Sequence, residues 1–176
     1  MNAGDQGTRA GGKHAVIPRT LIFVTSPNPT TGTDDLLLLK GSPTKRLWAG
    51  KYNGLGGHVE ASENVAAAAQ RELAEETGLM VDPLTLRGIV HIDTGSDQNG
   101  PRPGVMMFVF RGTSTARAVR PSVEGTPEWL PVDGLADLPL VDDLYAVIPR
   151  TLDDAPIFFG HYAPKEDGSM SYHFSR

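Results

Sequence analysis

Short apolar runs alternate with glycine- and proline-rich turns along most of this chain, and many of their residues are β-branched or aromatic. Runs of this kind, bounded by turn residues, are typical of β-strands. They predict strands at Arg19–Thr25, Leu36–Lys40, Leu84–Asp93 (broken at Gly88) and Val105–Arg111, and a terminal hairpin of Ile157–Tyr162 and Met170–Phe174 around Lys165–Ser169. The continuous apolar character of the fourth run favours a central position in the sheet. The segments Thr94–Gly104 and Ser122–Pro131 are predicted to be loops.

A different period marks the first helix. Val65, Ala69 and Leu73 recur at a spacing of four residues, which gives an α-helix one apolar face. Asn64 is suited to cap the N-terminus of this helix, and Gly78 is suited to the left-handed conformation that ends it.

A second helix is predicted to open at Leu140–Asp143 and to run to about Leu152. Either aspartate would suit the N-terminal end of its macrodipole. Short strands that alternate with two helices predict an α/β protein whose mixed sheet is covered on both faces. Residues 15–176 are expected to form this single domain after a flexible, glycine-rich tail at residues 1–14.

Three carboxylates are crowded at the end of the first helix. Glu72, Glu75 and Glu76 lie at relative positions i, i+3 and i+4, so they share one helical face. Like charges at that spacing cost about 0.2–0.5 kcal/mol per pair, and the helix macrodipole adds a further ~0.3–1 kcal/mol for each. A solvated acidic face is the simpler interpretation of these glutamates, whereas a hard cation such as Mg²⁺ would offset the repulsion. Arg71 can reach Glu75 one turn along the helix and Glu63 in the preceding loop.

The three glutamates are part of a longer pattern of defined residues that runs from Gly57 to Leu79. It reads Gly, five residues, Glu, seven residues, Arg-Glu-Leu, one residue, Glu-Glu, one residue, Gly-Leu. This string resembles the Nudix box of the Nudix hydrolase family at every defined position. The resemblance implies the Nudix fold, an α/β/α sandwich with a mixed sheet. It also implies hydrolysis of a nucleoside diphosphate that is linked to another group.

The resemblance further implies roles for individual residues. The ligands of Mg²⁺, or of Mn²⁺ in its place, would be the carbonyl group of Gly56 and the carboxylates of Glu72, Glu75, Glu76 and Glu124. Glu128 is the rival of Glu124 for this role, because both precede the same tryptophan. Either Glu75 or Glu124 would accept the proton of the attacking water. Arg71 and Glu63 would orient the acidic side chains.

The segment Tyr52–Gly57 resembles the MutT-like subgroup, whose members hydrolyse oxidised purine nucleoside triphosphates, such as 8-oxo-dGTP, to a monophosphate and pyrophosphate. The resemblance gives Asn53 the role of contacting the base, and Tyr52 stands where the subgroup often has tryptophan. The subgroup's pair of aspartates at the purine edge corresponds to Asp142 and Asp143, but an aliphatic residue replaces the tryptophan that usually precedes the pair. Two adjacent carboxylates raise each other's pKa, which would allow one of them to donate a hydrogen bond to the base.

Lys40, at the end of the second predicted strand, is a candidate for contacting a phosphate group. A solvated lysine at a strand end is an equally good interpretation of this position. The sequence does not decide between these two interpretations of Lys40.

Composition and net charge limit the classes of molecule that this protein is expected to bind. The net charge is −5, and no cluster of lysine and arginine is dense enough to indicate binding to polymeric DNA or RNA. The chain has no cysteine, and its apolar runs are too short to span a bilayer, so thiol chemistry and a membrane partner are not expected. A cytoplasmic protein that binds a small nucleotide is the expectation, as a monomer or a homodimer.

Two other functions fit the same sequence. One is a Nudix hydrolase for a different diphosphate, such as ADP-ribose or a dinucleoside polyphosphate, with Thr94–Gly104 shaping the pocket. The other is a nucleotide sensor without catalytic activity, although a sensor would not need the full set of carboxylates.

Overall fold

The computed structural model describes residues 14–42 and 48–176, so the predicted flexible tail lies outside the described residues except for His14. Strands β1 to β10 span Val16–Pro27, Asp34–Gly41, Tyr52–Asn53, Thr85–Ile92, Ser96–Asp97, Gly100–Pro101, Gly104–Thr113, Gly125–Pro131, Phe158–Pro164 and Met170–Ser175. Helix α1 spans Val65–Thr77, a 3-10 helix spans Val132–Asp137, and helix α2 spans Leu144–Leu152. The predicted strands, both helices and the terminal hairpin are confirmed.

The main sheet is mixed, as predicted. Its strand order is β10-β9-β4-β7-β1-β2-β3, and β8 also pairs with β2. The β1–β7 and β4–β9 pairs are parallel, whereas the other pairs of this sheet are antiparallel. Strand β7 lies between β4 and β1, which confirms the central position predicted from its apolar run. The predicted break in β4 is a register shift between Leu86 and Gly88. A Cβ added at Gly88 would lie 2.3 Å from the Phe158 ring.

Helix α1 has the ends that the sequence predicted. The Asn64 side chain accepts hydrogen bonds from the backbone N–H groups of Ala66 and Ala67, both at 3.0 Å. Gly78 has φ +81°, and its N–H group donates to the Ala74 carbonyl at 2.9 Å. The left-handed conformation needs glycine here, because a Cβ would be strained at this φ.

Alternating residues of β1 and β2 point to opposite faces of the sheet, and each face carries a helix. One buried cluster joins these strands to the 3-10 helix and α2, and it includes Leu21, Phe23, Leu36, Leu38, Leu135, Leu144 and Val147. The other cluster joins them to α1, and it includes Ile22, Val24, Leu37, Leu39, Ala69 and Leu73. The predicted α/β/α sandwich is therefore confirmed.

Two segments predicted to be loops contain strands instead. Within Ser122–Pro131, residues 125–131 form β8, which pairs antiparallel with β2 from Gly125 to Pro131. Prolines argue against a strand, but they are tolerated where a strand has a neighbour on one side only. Thr94–Gly104 contains the small β5–β6 hairpin.

The second helix begins later than predicted, at Leu144 rather than within the preceding four residues. Within the part of the chain that the structure describes, no helix is long and apolar enough to cross a membrane.

Candidate functional site

A cavity of about 480 Å³ lies where the C-terminal half of α1 meets the glycine turn that follows β3. Several site residues predicted from the sequence line this cavity: Asn53, Gly56, Arg71, Glu72, Glu76 and Glu124. Others in its lining were not predicted, among them Arg19, Trp48, Lys51, His58 and Glu60. The volume lies within the range of pockets that hold small molecules.

The glycine turn packs closely against both β1 and α1. At Gly56, which has φ +127°, an added Cβ would lie 2.4 Å from the Thr20 carbonyl oxygen. At Gly57, a Cβ would lie 2.5 Å from Oε1 of Glu72. Glycine is therefore required at position 56, because a side chain there would push the turn away from the strand, whereas a side chain at position 57 would displace the Glu72 carboxylate.

The three glutamates of the predicted acidic face have different surroundings. Glu76 is only 5% exposed, and its Oε2 accepts a hydrogen bond of 2.8 Å from the Gly56 N–H group. The Glu72 side chain is 16% exposed, whereas the Glu75 side chain is 61% exposed. Glu72 and Glu76 line the cavity, and Glu75 does not. The sequence placed the three carboxylates together, but the fold brings only two of them to the cavity.

Arg71 connects the acidic loop to the helix, as the sequence predicted. Its guanidinium group donates to Glu63 at 2.6 Å, to Glu72 at 2.9 Å and to Glu75 at 3.2 Å. It also donates to the His58 carbonyl at 3.0 Å. The carboxylates of Glu63 and Glu72 raise the pKa of Arg71 further above its ordinary value, with the Glu63 hydrogen bond as the largest cause. In turn, the hydrogen bond from Arg71 and a second from the Glu60 backbone hold the pKa of Glu63 below its usual range.

The donors around this cavity suit a hard divalent cation. Glu60, Glu72, Glu76 and Glu124 offer carboxylate oxygens, and Gly56 offers a backbone carbonyl, which are the ligand types that Mg²⁺ and Mn²⁺ prefer. Among residues 14–42 and 48–176, no three His, Asp or Glu side chains are already arranged as a complete set of metal ligands. The residues therefore fit such an ion by the chemistry of their donor atoms, and the side chains must still converge on it.

Lys40, Tyr52 and Glu128 lie together, away from this cavity. The Tyr52 hydroxyl group donates to Glu128 at 2.6 Å, and this hydrogen bond raises the pKa of Tyr52. The Lys40 ammonium group lies 4.0 Å from Glu128 and 5.3 Å from the centre of the Tyr52 ring. Because residues alternate along β2, Lys40 faces the same side as Leu38, which is the α2 side of the sheet. The structure thus does not bring Lys40 or Tyr52 into the cavity lining.

The two aspartates before α2 have different partners. Asp142 forms an ion pair of 2.7 Å with Lys51, and Lys51 lines the cavity. Asp143 accepts a hydrogen bond of 3.1 Å from the Tyr162 hydroxyl group, and its side chain does not cap the helix. Burial raises the pKa of the Asp143 carboxyl group, and the neighbouring Asp142 adds to this effect.

Comparison with known proteins places this arrangement in a family. A family model of the NUDIX domain matches residues 18–151. The chain belongs to the Nudix family. The oxidized purine nucleoside triphosphate hydrolase of Mus musculus is 30% identical over 155 residues, which cover 87% of this chain and 90% of the mouse protein. The protein of the same name from Danio rerio is 32% identical over 114 residues, and the match covers only 65% of either chain.

Solved structures agree with this assignment to the Nudix family. The MutT protein from Bacillus halodurans superposes with a TM-score of 0.73 at 25% identity, over 90% of this chain and 97% of that protein. The Nudix domain of NrtR from Shewanella oneidensis, in complex with ADP ribose, superposes with a TM-score of 0.67 at 15% identity, over 85% of this chain and 96% of that one. The second likeness is one of fold. Together with the relatives named as triphosphate hydrolases, the family identifies this protein as a Nudix hydrolase.

Several lining residues of this Nudix domain had no signal in the sequence. The guanidinium group of Arg19 donates to Nε2 of His58 at 2.8 Å, across a bridge between β1 and the loop after the glycine turn. Trp48 has φ +59°, a conformation that is uncommon for a bulky residue, and it is 49% exposed. Lys51 could have been considered from its position next to the Tyr-Asn-Gly segment. Its ion pair with Asp142 joins residues far apart in the chain, so the sequence did not reveal it.

The Asp143→Asn variant of this Nudix hydrolase should be more stable than the wild type at neutral pH. Burial raises the pKa of Asp143 above its ordinary value of 3.8, so the folded protein binds this proton more tightly than the unfolded chain does. Stability therefore falls as the pH rises from about 3.8 through the raised pKa. An amide removes this penalty and still offers an oxygen atom to the Tyr162 hydroxyl group.

Thermal unfolding of both proteins between about pH 4 and pH 8 measures the effect. The stability advantage of the Asp143→Asn variant should shrink towards the acidic end. Asp142→Asn is the matched control, because Asp142 is exposed to solvent; it should show no gain of this kind. A stability difference for Asp143→Asn that is the same at every pH would contradict the explanation.

Proposed function

We propose that this Nudix hydrolase cleaves a nucleoside triphosphate, with a preference for oxidised purine bases, to a nucleoside monophosphate and pyrophosphate in a Mg²⁺-dependent reaction. The observation that carries the proposal is that Asn53, Glu72 and Glu76 line one cavity of about 480 Å³. One nucleotide in this cavity can therefore contact the Asn53 amide with its base and face the Glu72 and Glu76 carboxylates with its phosphate groups. The names of the mouse and zebrafish relatives support the oxidised purine class.

The metal-binding part of the proposal rests on oxygen donors around the cavity. The Gly56 carbonyl and the carboxylates of Glu72, Glu76 and Glu124 would hold Mg²⁺. When bound, such an ion neutralises charge on the phosphate groups and lowers the pKa of the attacking water. Glu75 contributes less in this scheme, since its side chain is largely exposed and outside the cavity.

The remaining residues position these carboxylates and move the proton. Arg71 holds Glu72 and Glu63 at once, so the loop and the helix keep a fixed separation. The Gly56 N–H group holds one oxygen of Glu76 in place. Glu124 is the proposed general base, because it lines the cavity and Glu75 does not.

The base-binding part of the proposal rests on Asn53, which lines the same cavity. The Asn53 oxygen accepts a hydrogen bond from the Gly54 N–H group, which orients the amide nitrogen as a donor. Asp142 forms an ion pair with Lys51, which lines the cavity, and Asp143 is the next residue in the chain. Trp48 offers a half-exposed indole ring for stacking on a base, a role that the aliphatic residues before Asp142 do not fill.

A panel of substrates, analysed by the products released, tests the proposed function. The panel contains canonical and oxidised purine triphosphates, ADP-ribose and a dinucleoside polyphosphate, each with and without Mg²⁺. We expect pyrophosphate release, fastest from an oxidised purine triphosphate. Faster cleavage of ADP-ribose or the dinucleoside polyphosphate would contradict the proposed substrate and identify that compound's class as the substrate instead. Binding without turnover of any compound would identify a sensor.

Asn53→Ala tests the base-binding assignment separately from the chemistry. We expect a KM raised by about 10-fold or more for the preferred base, because an unpaired polar group costs roughly 1–3 kcal/mol. The ratio of kcat/KM between oxidised and canonical purines should fall towards one. Asn99→Ala is the matched control, since Asn99 is exposed in the β5–β6 hairpin. If the ratio is the same in Asn53→Ala as in the control, Asn53 does not read the base.

A further inference from the structure

Two cavity-lining side chains, those of Arg19 and His58, lie side by side where β1 meets the chain that follows the glycine turn. Backbone hydrogen bonds hold this chain antiparallel to β1, between Ile22 and Leu55, Thr20 and Gly57, and Pro18 and Val59. In this register Arg19 is directly opposite His58. Residues that are directly opposite each other point to the same face, so the two side chains are neighbours.

Arg19 donates to the His58 ring from two of its nitrogens. The distances to Nε2 of His58 are 3.2 Å from Nε and 2.8 Å from Nη2. Because a guanidinium group can only donate hydrogen bonds, this ring nitrogen is the acceptor. Within the part of the chain that the structure describes, the Arg19 side chain has no carboxylate partner, and the hydrogens on its Nη1 atom are not used. Arg19 therefore brings an unbalanced positive charge and spare donors to the cavity.

The other basic side chains of the described lining, Arg71 and Lys51, are already paired. Arg71 forms ion pairs with three glutamates, and Lys51 forms one with Asp142. A guanidinium group can bind a phosphate group through two parallel N–H···O bonds, which are stronger than hydrogen bonds between neutral groups. The unbalanced charge of Arg19 therefore suits a phosphate group of a ligand.

The order of residues along the chain indicates which phosphate group this is. Asn53 comes first, the glycine turn follows, and His58 comes last. The turn contacts the carboxylates of Glu76 and Glu72. In this order Arg19, opposite His58, lies beyond the carboxylates as seen from Asn53. A nucleotide whose base contacts Asn53, and whose phosphate groups face the carboxylates, would extend its last phosphate group to Arg19.

We propose that Arg19 binds the terminal phosphate group of a nucleoside triphosphate, and that His58 holds Arg19 in position. The orientation of the nucleotide rests on the proposed function, in which Asn53 contacts the base. His58 is itself anchored, because its carbonyl group accepts a hydrogen bond of 3.0 Å from Arg71, which also donates to Glu72 at 2.9 Å. The phosphate subsite and the carboxylates thus share one support.

This subsite would select substrates by the end of their phosphate chain. The terminal phosphate group of a triphosphate leaves as part of pyrophosphate, and Arg19 would balance part of its charge. Both phosphate groups of ADP-ribose are esterified, so that compound offers no terminal group to Arg19. The contact therefore favours a triphosphate over a diphosphate that links two sugars.

Binding of inorganic pyrophosphate tests the subsite without a nucleotide. Calorimetric titration of the full-length chain in Mg²⁺ compares the wild type with Arg19→Gln. We expect Kd to rise about 10- to 100-fold, because a hydrogen bond between charged groups is lost. Arg19→Lys keeps the charge but loses the paired geometry, so its Kd should be intermediate. Arg102→Gln is the matched control, since Arg102 is exposed and does not line the cavity; it should bind pyrophosphate as the wild type does.

Steady-state kinetics test the choice of phosphate group. For the preferred triphosphate, Arg19→Gln should raise KM by about 10- to 100-fold and change kcat by less than about 3-fold, as expected when a contact made equally in the ground and transition states is removed. The inhibition constant of ADP-ribose should be the same in Arg19→Gln as in the wild type. An equal loss of affinity for ADP-ribose and for the triphosphate would contradict a subsite for the terminal phosphate group.

His58→Ala tests the positioning role. It should weaken pyrophosphate binding several-fold in the wild type but not in Arg19→Gln, because a residue that acts through Arg19 has no effect once Arg19 is gone. A further loss of affinity in the double variant would refute this role.

Two results would overturn the subsite itself. One is an unchanged pyrophosphate affinity in Arg19→Gln, which together with a lower Tm would make the pair purely structural. The other is a wild type that does not bind pyrophosphate. Pyrophosphate binding that depends on Arg19, in a wild type that cleaves no triphosphate, would instead uphold the subsite and refute the proposed function.

Discussion

Glu76→Gln is expected to lower kcat by about 100- to 1,000-fold, the usual cost of removing one preorganised electrostatic contact from an active site. The side chain is buried against the glycine turn. Glutamine has nearly the same shape, and its amide oxygen can still accept from the Gly56 N–H group. The fold should therefore persist while the negative charge at the cavity is lost. Initial rates of pyrophosphate release, measured across a Mg²⁺ titration, report the effect.

Glu75→Gln is the matched control for this experiment. It removes the same charge one residue away, but the Glu75 side chain is 61% exposed and is absent from the cavity lining. We expect less than about a 10-fold change in kcat, because an exposed ion pair such as that with Arg71 contributes roughly 0.2–1 kcal/mol. Equal losses in both variants, or wild-type turnover of Glu76→Gln at saturating Mg²⁺, would contradict the metal-binding role of Glu76.

The frame of the fold was predictable because its signals are local. The apolar spacing of α1, the Asn64 cap and the Gly78 end all depend on residues within one helix, and the structure confirms them. The apolar run of β7 likewise indicated its central position. Strand β8 was missed because Pro127 and Pro131 disrupt the pattern of a strand, and only its pairing with β2 stabilises it there.

The candidate site was predictable only in part, since helical periodicity does not determine which carboxylate faces a cavity. Glu72, Glu75 and Glu76 are equivalent in the sequence pattern. The approach of Gly56 and Gly57 distinguishes them, by covering Glu76 and contacting Glu72. That approach is set by β1, which lies far away in the chain.

Two other differences between the predicted and observed site concern Lys40 and Asp143. Lys40 and Asn53 are on paired strands, but Lys40 points to the α2 side of the sheet, where Glu128 meets it. A capping role, which the sequence left open for either aspartate, is not filled by Asp143, whose side chain accepts a hydrogen bond from Tyr162. Both outcomes depend on contacts between distant segments, for which a single sequence carries no signal.

Glu124→Gln should lower kcat by about 100- to 10,000-fold, which is the contribution expected of a general base. Glu124 immediately precedes β8, and Gly125 lies so close to β2 that a Cβ there would be 2.3 Å from the Lys40 carbonyl oxygen. This close pairing holds Glu124 at the edge of the cavity. The pH dependence of kcat should lose its acidic limb, since glutamine has no proton-accepting form in this range.

Glu128→Gln is the control that the sequence alone could not have chosen. Its carboxylate accepts a hydrogen bond from the Tyr52 hydroxyl group on the other side of the sheet. The amide oxygen of glutamine can still accept this bond, so the change should alter stability by about 1 kcal/mol or less and leave the pH profile of kcat unchanged. A profile that loses its acidic limb in Glu128→Gln instead would exchange the two roles. If the acidic limb of the pH profile is intact in both variants, neither Glu124 nor Glu128 is the general base. The assignment would then return to Glu75, despite its exposure to solvent.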